Sequence, residues 1–154
     1  MDTAVLLKQN NKSLKEYQEN TLFTDKILDI IESIHEFTVE KIYKNVYVKY
    51  NDRYIEFDVL LFASTPSGRK RLISIELKEY DIGKAIEQAI IRREFVDYSY
   101  IIMKLSLRSI IEYILYVTPG YIRNNRIGIF SGDTLLLASK YIPRNIDIIE
   151  KDKI

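Results

Sequence analysis

Residues 54–78 read YIEFDVLLFASTPSGRKRLISIELK. Two apolar runs with strand character, Tyr54 to Ala63 and Leu72 to Lys78, flank the turn-forming segment Ser64-Thr65-Pro66-Ser67-Gly68, so the two runs are expected to pair antiparallel. Toward the N-terminus, Phe37 to Tyr50 is a third such run, and Asn51-Asp52 supplies a hairpin turn into Tyr54. Three antiparallel strands are expected. Asp58 stands among Phe57, Val59, Leu60, Leu61 and Phe62, a setting in which a carboxylate needs a partner. In the next strand Ser74, Glu76 and Lys78 point to one face and Ile73, Ile75 and Leu77 to the other. If the two strands are neighbours, Asp58, Glu76 and Lys78 converge.

Helical periods flank this block. Phe23, Ile27, Ile30, Ile31 and Ile34 form one stripe running to about Glu36, starting either at a capping box of Ser13 and Glu16 or later, at Thr21 or Thr24. Residues 1–12 read as a flexible arm or a short helix. After Lys78, the spacing of Ile82, Ala85, Ile86, Ala89, Ile90 and Phe95 gives a second helix, and Tyr98 to Met103 a fourth strand. Ser106 caps a third helix with Ile110, Ile111, Ile114 and Leu115 on its apolar face, ending before Pro119-Gly120. Ile127 to Phe130 and Thr134 to Ala138 make a last hairpin around Ser131-Gly132-Asp133. The order is αβββαβ followed by αββ, an α/β sandwich with helices on the sheet faces, in a single domain over 1–154.

Composition narrows the chemistry. The chain has 154 residues, 47% hydrophobic and 29% charged, with 5 Gly and 3 Pro, which excludes long linkers and argues against disorder. It has no cysteine and one histidine, His35, so disulfides, zinc-thiolate sites and multi-histidine centres are excluded, and His35 is assigned no function. A catalytic metal would be held by carboxylates, favouring Mg²⁺ or Mn²⁺. No apolar run approaches the ~18 residues of a membrane span, and the N-terminus lacks a secretory layout, so a cytoplasmic protein is expected. The net charge of +1 hides an asymmetry: residues 1–40 carry 4 basic and 8 acidic side chains, and the remainder 19 and 14. The later part of the chain therefore suits a polyanionic partner.

Two carboxylates beside one lysine suit phosphodiester hydrolysis: the acids can hold Mg²⁺, and the ammonium can orient the attacking water or stabilise developing charge. The plainer reading is a strand with one solvated face. Asp58 followed by Ile75-Glu76-Leu77-Lys78 resembles the signature of the PD-(D/E)XK nuclease superfamily, an acid at the end of one strand and acid-x-Lys in the next. The resemblance extends over roughly Ser13 to Met103. Phe57 stands where the name-giving proline would be. It implies a restriction-endonuclease-like three-layer sandwich with a mixed central sheet and core order αβββαβ, plus a C-terminal helix and β-hairpin. It also implies Mg²⁺, replaceable by Mn²⁺, a DNA substrate, and a homodimer by analogy with small archaeal Holliday junction resolvases.

The superfamily usually adds an acid from the first helix, a role for which Glu19 is the candidate, Glu16 being explained by the capping box. Relatives often carry a glutamine on the helix after the lysine strand, where Gln88 stands; Arg92 lies one turn further, in reach of a phosphate. Lys41, Lys44, Lys49 and Arg53 among Tyr43, Tyr47, Tyr50 and Tyr54, with Arg69, Lys70 and Arg71, form the expected DNA-binding set; strand-surface packing or a dimer interface is the other reading of the tyrosines. The expectation is a metal-dependent endodeoxyribonuclease, structure-selective for junction or branched DNA, with Asp58, Glu76 and Glu19 on the metal and Lys78 and Gln88 completing the catalytic set. The alternative is a catalytically inactive nucleic-acid-binding or regulatory protein.

Overall fold

The computed structural model describes residues 2–8, 21–116 and 119–150. Its elements are β1 (Asp2–Lys8), α1 (Asp25–His35), β2 (Thr38–Tyr50), β3 (Arg53–Ser64), β4 (Lys70–Lys78), α2 (Ile82–Arg92) with a 3-10 turn over Arg93–Phe95, β5 (Tyr98–Met103), α3 (Leu107–Tyr116), α4 (Pro119–Asn125), β6 (Gly128–Ser131), β7 (Thr134–Leu137) and β8 (Ile146–Glu150). Among the described residues, eight strands form one sheet in the order β7-β6-β5-β4-β3-β2-β1-β8. The strands β4, β5 and β6 run parallel, as do β1 and β8; β1 with β2, β2 with β3, β3 with β4 and β6 with β7 are antiparallel. No helix among the described residues is long and apolar enough to cross a membrane.

This arrangement overturns the expected restriction-endonuclease-like sandwich with its αβββαβ core, single following helix and hairpin. The described residues open and close with strands, and β1 and β8 widen the sheet beyond β2. The expected arm or short helix at the N-terminus is β1, because Ala4 and Leu6 bury against Val46, Val48, Ile146 and Ile148, partners remote in sequence that a local pattern does not reveal. Two helices, not one, separate β5 from β6. Pro119 opens α4, since a proline in the first helical turn forfeits no hydrogen bond.

Helix α1 begins one residue after Thr24, whose hydroxyl accepts from the Ile27 N–H at 3.3 Å. Thr24 is thus the cap of the described helix; the alternative start at Ser13 and the two acids Glu16 and Glu19 lie outside the described residues. The helix stops at Glu36 in the left-handed region (φ 55°), its N–H returning to the Glu32 carbonyl. The Glu32 side chain accepts from the Val39 N–H at 2.8 Å and ties α1 to β2.

One sheet face packs Val59, Leu61, Ala63, Ile73, Ile75, Leu77, Tyr100 and Ile102 under Ile27 and Ile31 of α1. On the other face Ile101, Met103 and Ile129 meet Ile82, Ala85, Ile86 and Ala89 of α2, with Ile110 of α3 and Ile122 of α4. A third cluster joins β1, β2, β3 and β8 around Phe57, Leu60, Leu72, Phe95 and Val96.

Besides a bulge between Val39 and Lys41, alternation along β2 and β3 breaks at a second level. Leu60 and Phe62 share the third cluster with Ile55 and Phe57, and Tyr43 packs on the cluster that holds Val46 and Val48. Strict alternation would put Phe57 and Leu60, or Tyr43 and Val46, on opposite faces. Lys44 pairs with Val59 and Val46 with Phe57, so Asn45 and Asp58 are matched extra residues at which both strands change phase. Asn45 meets the requirement by adopting φ 53°, a conformation that asparagine tolerates better than most residues. The β3–β4 pairing ends one residue away, at Val59 with Ile75.

Two expected outcomes test this packing. A Cβ at Gly128 would run into the Tyr100 ring and approach the Ser139 backbone nitrogen to 2.6 Å. Tyr100 is fully buried and has nowhere to move, so Gly128→Ala is expected to lose about 1–3 kcal/mol, read as a lower urea midpoint; an unchanged midpoint would show that the β5–β6 contact is looser than described. His35 bonds the Tyr100 hydroxyl at 2.6 Å and lies 4.1 Å from the Tyr98 ring centroid. Burial, helped by the charge of Lys140, lowers its pKa to about 4. The unfolded chain takes up that proton near pH 6.5 and the folded chain only near 4, so stability falls as pH drops through this window. The ring is only partly shielded, so a loss on the order of 1–2 kcal/mol is expected. His35→Gln should flatten stability against pH between 7 and 4; equal slopes in both proteins would contradict the assignment.

Candidate active site at the ends of β3 and β4

Asp58 and Glu76 reach one place by different routes. Glu76 lies on the β4 face opposite Ile75 and Leu77, toward α2, and is 2% exposed. Asp58, at the phase change in β3, turns its carboxylate toward β4 and accepts the Leu77 N–H at 2.9 Å. The ladder continued would give that N–H to a β3 carbonyl; here a side-chain oxygen replaces it, and the strands part beside Glu76.

Arg92 completes the group. Its Nε lies 2.7 Å from Glu76 Oε1. The Nε–H itself is directed at the Glu56 carbonyl, 2.7 Å away, and Nη1 donates to the Gln88 carbonyl at 2.9 Å. Glu76 Oε1 therefore receives the field of the guanidinium without a hydrogen bond and is buried with no donor. Burial above all, then the charge of Asp58 and a hydrogen bond shared with it, raise the Glu76 pKa well above the ordinary value, against the opposing pull of Arg92 and Lys78. Asp58, Glu76, Lys78 and Arg92 thus share one electrostatic environment. Gln88 is half-buried on the same helix as Arg92, and its Oε1 is buried without a donor.

A carboxylate oxygen shielded from water and lacking a donor, beside a second carboxylate, calls for a proton or a cation. The donors are hard oxygens, so Asp58 and Glu76 fit Mg²⁺ or Mn²⁺. Among the described residues no group of three or more His, Cys, Asp or Glu forms a metal cluster; Glu19, the expected third acid, lies outside them.

The expected DNA-binding residues do not form one patch. Lys49 lies over Tyr54 and Arg53 over Tyr50 at the β2–β3 turn, whereas Arg69, Lys70 and Arg71 lie at the other end of β3, roughly 35 Å away at strand rise. Lys70 sits over Phe62 and 3.8 Å from Asp147, Arg71 stacks on Tyr141, Lys41 bonds Glu150 at 2.7 Å, and Lys44 lies over Phe23. Arg92, read as a surface phosphate contact, is buried beside Glu76. The sequence held a signal for this: Arg92 continues the three-and-four spacing of Ile82, Ala85, Ile86 and Ala89, the buried face of α2. The sequence signal for Asn45, which sets the phase change opposite Asp58, is an asparagine inside a strand run.

Comparison of the chain with protein-family models, with curated proteins and with solved structures gave no match, so no family assignment accompanies the geometry.

Proposed function

We propose that the chain is a metal-dependent endodeoxyribonuclease, hydrolysing DNA phosphodiester bonds at Asp58, Glu76 and Lys78. The observation that carries this reading is the buried, donor-less Glu76 Oε1 held against Asp58. The resemblance of Asp58 and Glu76-Leu77-Lys78 to the PD-(D/E)XK signature supports it. Mg²⁺ bound there supplies charge neutralisation at the phosphate and a more acidic water. Asp58 keeps one oxygen on the Leu77 N–H, which fixes the carboxylate plane. Arg92, pinned by two carbonyls, offsets part of the charge of the acidic pair. Lys78, two residues beyond Glu76 and half-buried, holds the attacking water in this reading. Lys49 with Tyr54 and Arg53 with Tyr50 grip the strand. Junction or branched DNA, a homodimeric state and a cytoplasmic location complete the reading.

A second reading, a nucleic-acid-binding or regulatory protein without turnover, is favoured by one observation: Arg92 already places a positive charge 2.7 Å from Glu76. The two separate in a cleavage assay of the purified chain on single-stranded, duplex, flap and four-way-junction DNA with Mg²⁺ and with Mn²⁺. Cleavage of at least one substrate, stopped by EDTA, is expected. Binding at low salt without cleavage under either metal would replace the enzyme with the binding protein.

A further inference from the structure

Arginines 92, 108 and 144 each face a carboxylate partner within 4 Å. Arg71, Arg93 and Arg126 face none among the described residues, yet all three gather at the dipeptide Lys140-Tyr141. Nη2 of Arg93 donates to the Lys140 carbonyl, Nη1 of Arg126 donates to the Tyr141 carbonyl at 3.3 Å, and the Arg71 guanidinium stacks 4.6 Å over the Tyr141 ring. Arg93 is 7% exposed, and its Nε and Nη1 are buried with no acceptor.

The contrast with Arg144 shows what is missing. Arg144 is also largely buried, and its guanidinium is matched by Asp97 at 2.6 Å and Asp147 at 3.0 Å. Arg93 buries the same group with no carboxylate in ion-pair contact and leaves two charged donors without an acceptor, which is costly. Burial lowers its pKa to about 10, against the charge of Asp97, which outweighs the smaller lowering by Arg126. We propose that Arg71, Arg93 and Arg126 form a binding site for a phosphoryl group, at the sheet end opposite the Asp58–Glu76 site.

Phosphate is the anion that fits, because several guanidinium forks can share its oxygens. Arg126 and Lys140 are exposed at the rim. Tyr141, 39% exposed, presents a ring beside the arginines with Tyr98 5.8 Å away, a surface on which a base attached to the phosphate can stack. Arg71 precedes Glu76 by five residues, roughly 16 Å along a strand, so the site is separate from the carboxylates and does not depend on their reading. The phosphoryl group belongs either to a small phosphate compound or to the end of a nucleic-acid strand.

The test uses the full chain in EDTA, so that cleavage plays no part. Thermal unfolding is followed with inorganic phosphate against chloride at matched ionic strength, and binding with one oligonucleotide carrying a 5′-phosphate or a 5′-hydroxyl. Phosphate is expected to raise the unfolding temperature above the chloride control. Arg126→Gln, an exposed position, is expected to weaken phosphate binding about tenfold or more, as loss of a charged hydrogen bond implies. Arg93→Met should do the same; if it fails to fold, Arg71→Gln takes its place. Arg108→Gln, exposed on α3 and outside both sites, should leave it unchanged. Preference for the 5′-phosphate assigns the site to strand ends, and phosphate binding without that preference assigns it to small phosphate compounds. No difference between phosphate and chloride, or an Arg126→Gln protein that binds as the parent does, overturns the proposal.

Discussion

Glu76→Gln is expected to abolish Mg²⁺-dependent DNA cleavage while raising the unfolding temperature in metal-free buffer. The glutamine keeps the volume and one oxygen, so packing against α2 is retained. It removes a charge that burial and Asp58 disfavour more than Arg92 and Lys78 favour, as the upward displacement of the Glu76 pKa records. A carboxyl whose folded pKa is raised weakens the fold above its unfolded pKa, so neutralising it at pH 7 stabilises. Arg92 keeps its two carbonyl acceptors in the variant and is not stranded. Asp58→Ala should also abolish cleavage, and Lys78→Ala should cost about 10²–10³ in rate, the usual size of one lost transition-state contact. Melting curves beside single-turnover rates separate the two effects. A Glu76→Gln protein that cleaves like the parent would sink the active-site assignment, and one that is inactive but much less stable would make Glu76 a structural counter-ion of Arg92.

Asp97→Ala should be the most destabilising single change outside the apolar core. Asp97 is 1% exposed; its carboxylate accepts from the Leu72 N–H at 2.8 Å, the Arg144 N–H at 3.1 Å and Arg144 Nη1 at 2.6 Å. Its backbone N–H donates to the Leu72 carbonyl at 2.8 Å, and its carbonyl accepts from Ile142 at 3.2 Å. One residue thus holds the start of β4, the approach to β5 and the segment leading into β8. Alanine would leave a largely buried guanidinium with Asp147 alone and two backbone donors without an acceptor, which argues for a loss of about 3–5 kcal/mol. For a chain of this size that is a drop of roughly 10 °C or more in unfolding temperature. Asp97→Asn, keeping an acceptor but not the charge, should lose less. Urea unfolding decides: a loss under about 1 kcal/mol for the alanine would mean that water replaces the carboxylate.

What the sequence disclosed depended on the range of the forces involved. The period of two around Glu76 and Lys78, and the period near 3.6 from Ile82 to Ala89, arise within single elements and survive into the structure as β4 and α2. The pattern of β1 and β8 is silent in sequence because their stability is borrowed: among the described residues Ala4 and Leu6 cluster with side chains of other elements forty or more positions away. The approach of Asp58 to Glu76 was legible as two polar residues that needed each other. The buried place of Arg92 was not, because a charged side chain at the end of an apolar stripe looks the same in sequence whether it reaches solvent or a buried acid. The basic residues around Tyr47 and those before Leu72 looked like one set because they are near in sequence, and the length of β3 sets them apart.

The matched pair Asn45 and Asp58 makes the acid a separable rung of the ladder. Remove either residue alone, and the hairpin beyond it turns its apolar side chains to the wrong face. Remove both, and Lys44–Val59 would stack directly on Val46–Phe57, with Tyr43, Val46, Val48, Ile55, Phe57 and Leu60 all keeping their present sides. A hairpin two residues shorter would therefore close over the same core with alternation restored at this level and without this carboxylate. The alternation of the core does not need the extra rung, and in the shorter hairpin a β3 carbonyl would take back the Leu77 N–H that Asp58 now accepts, so the position of Asp58 can be gained or lost in a single paired insertion or deletion.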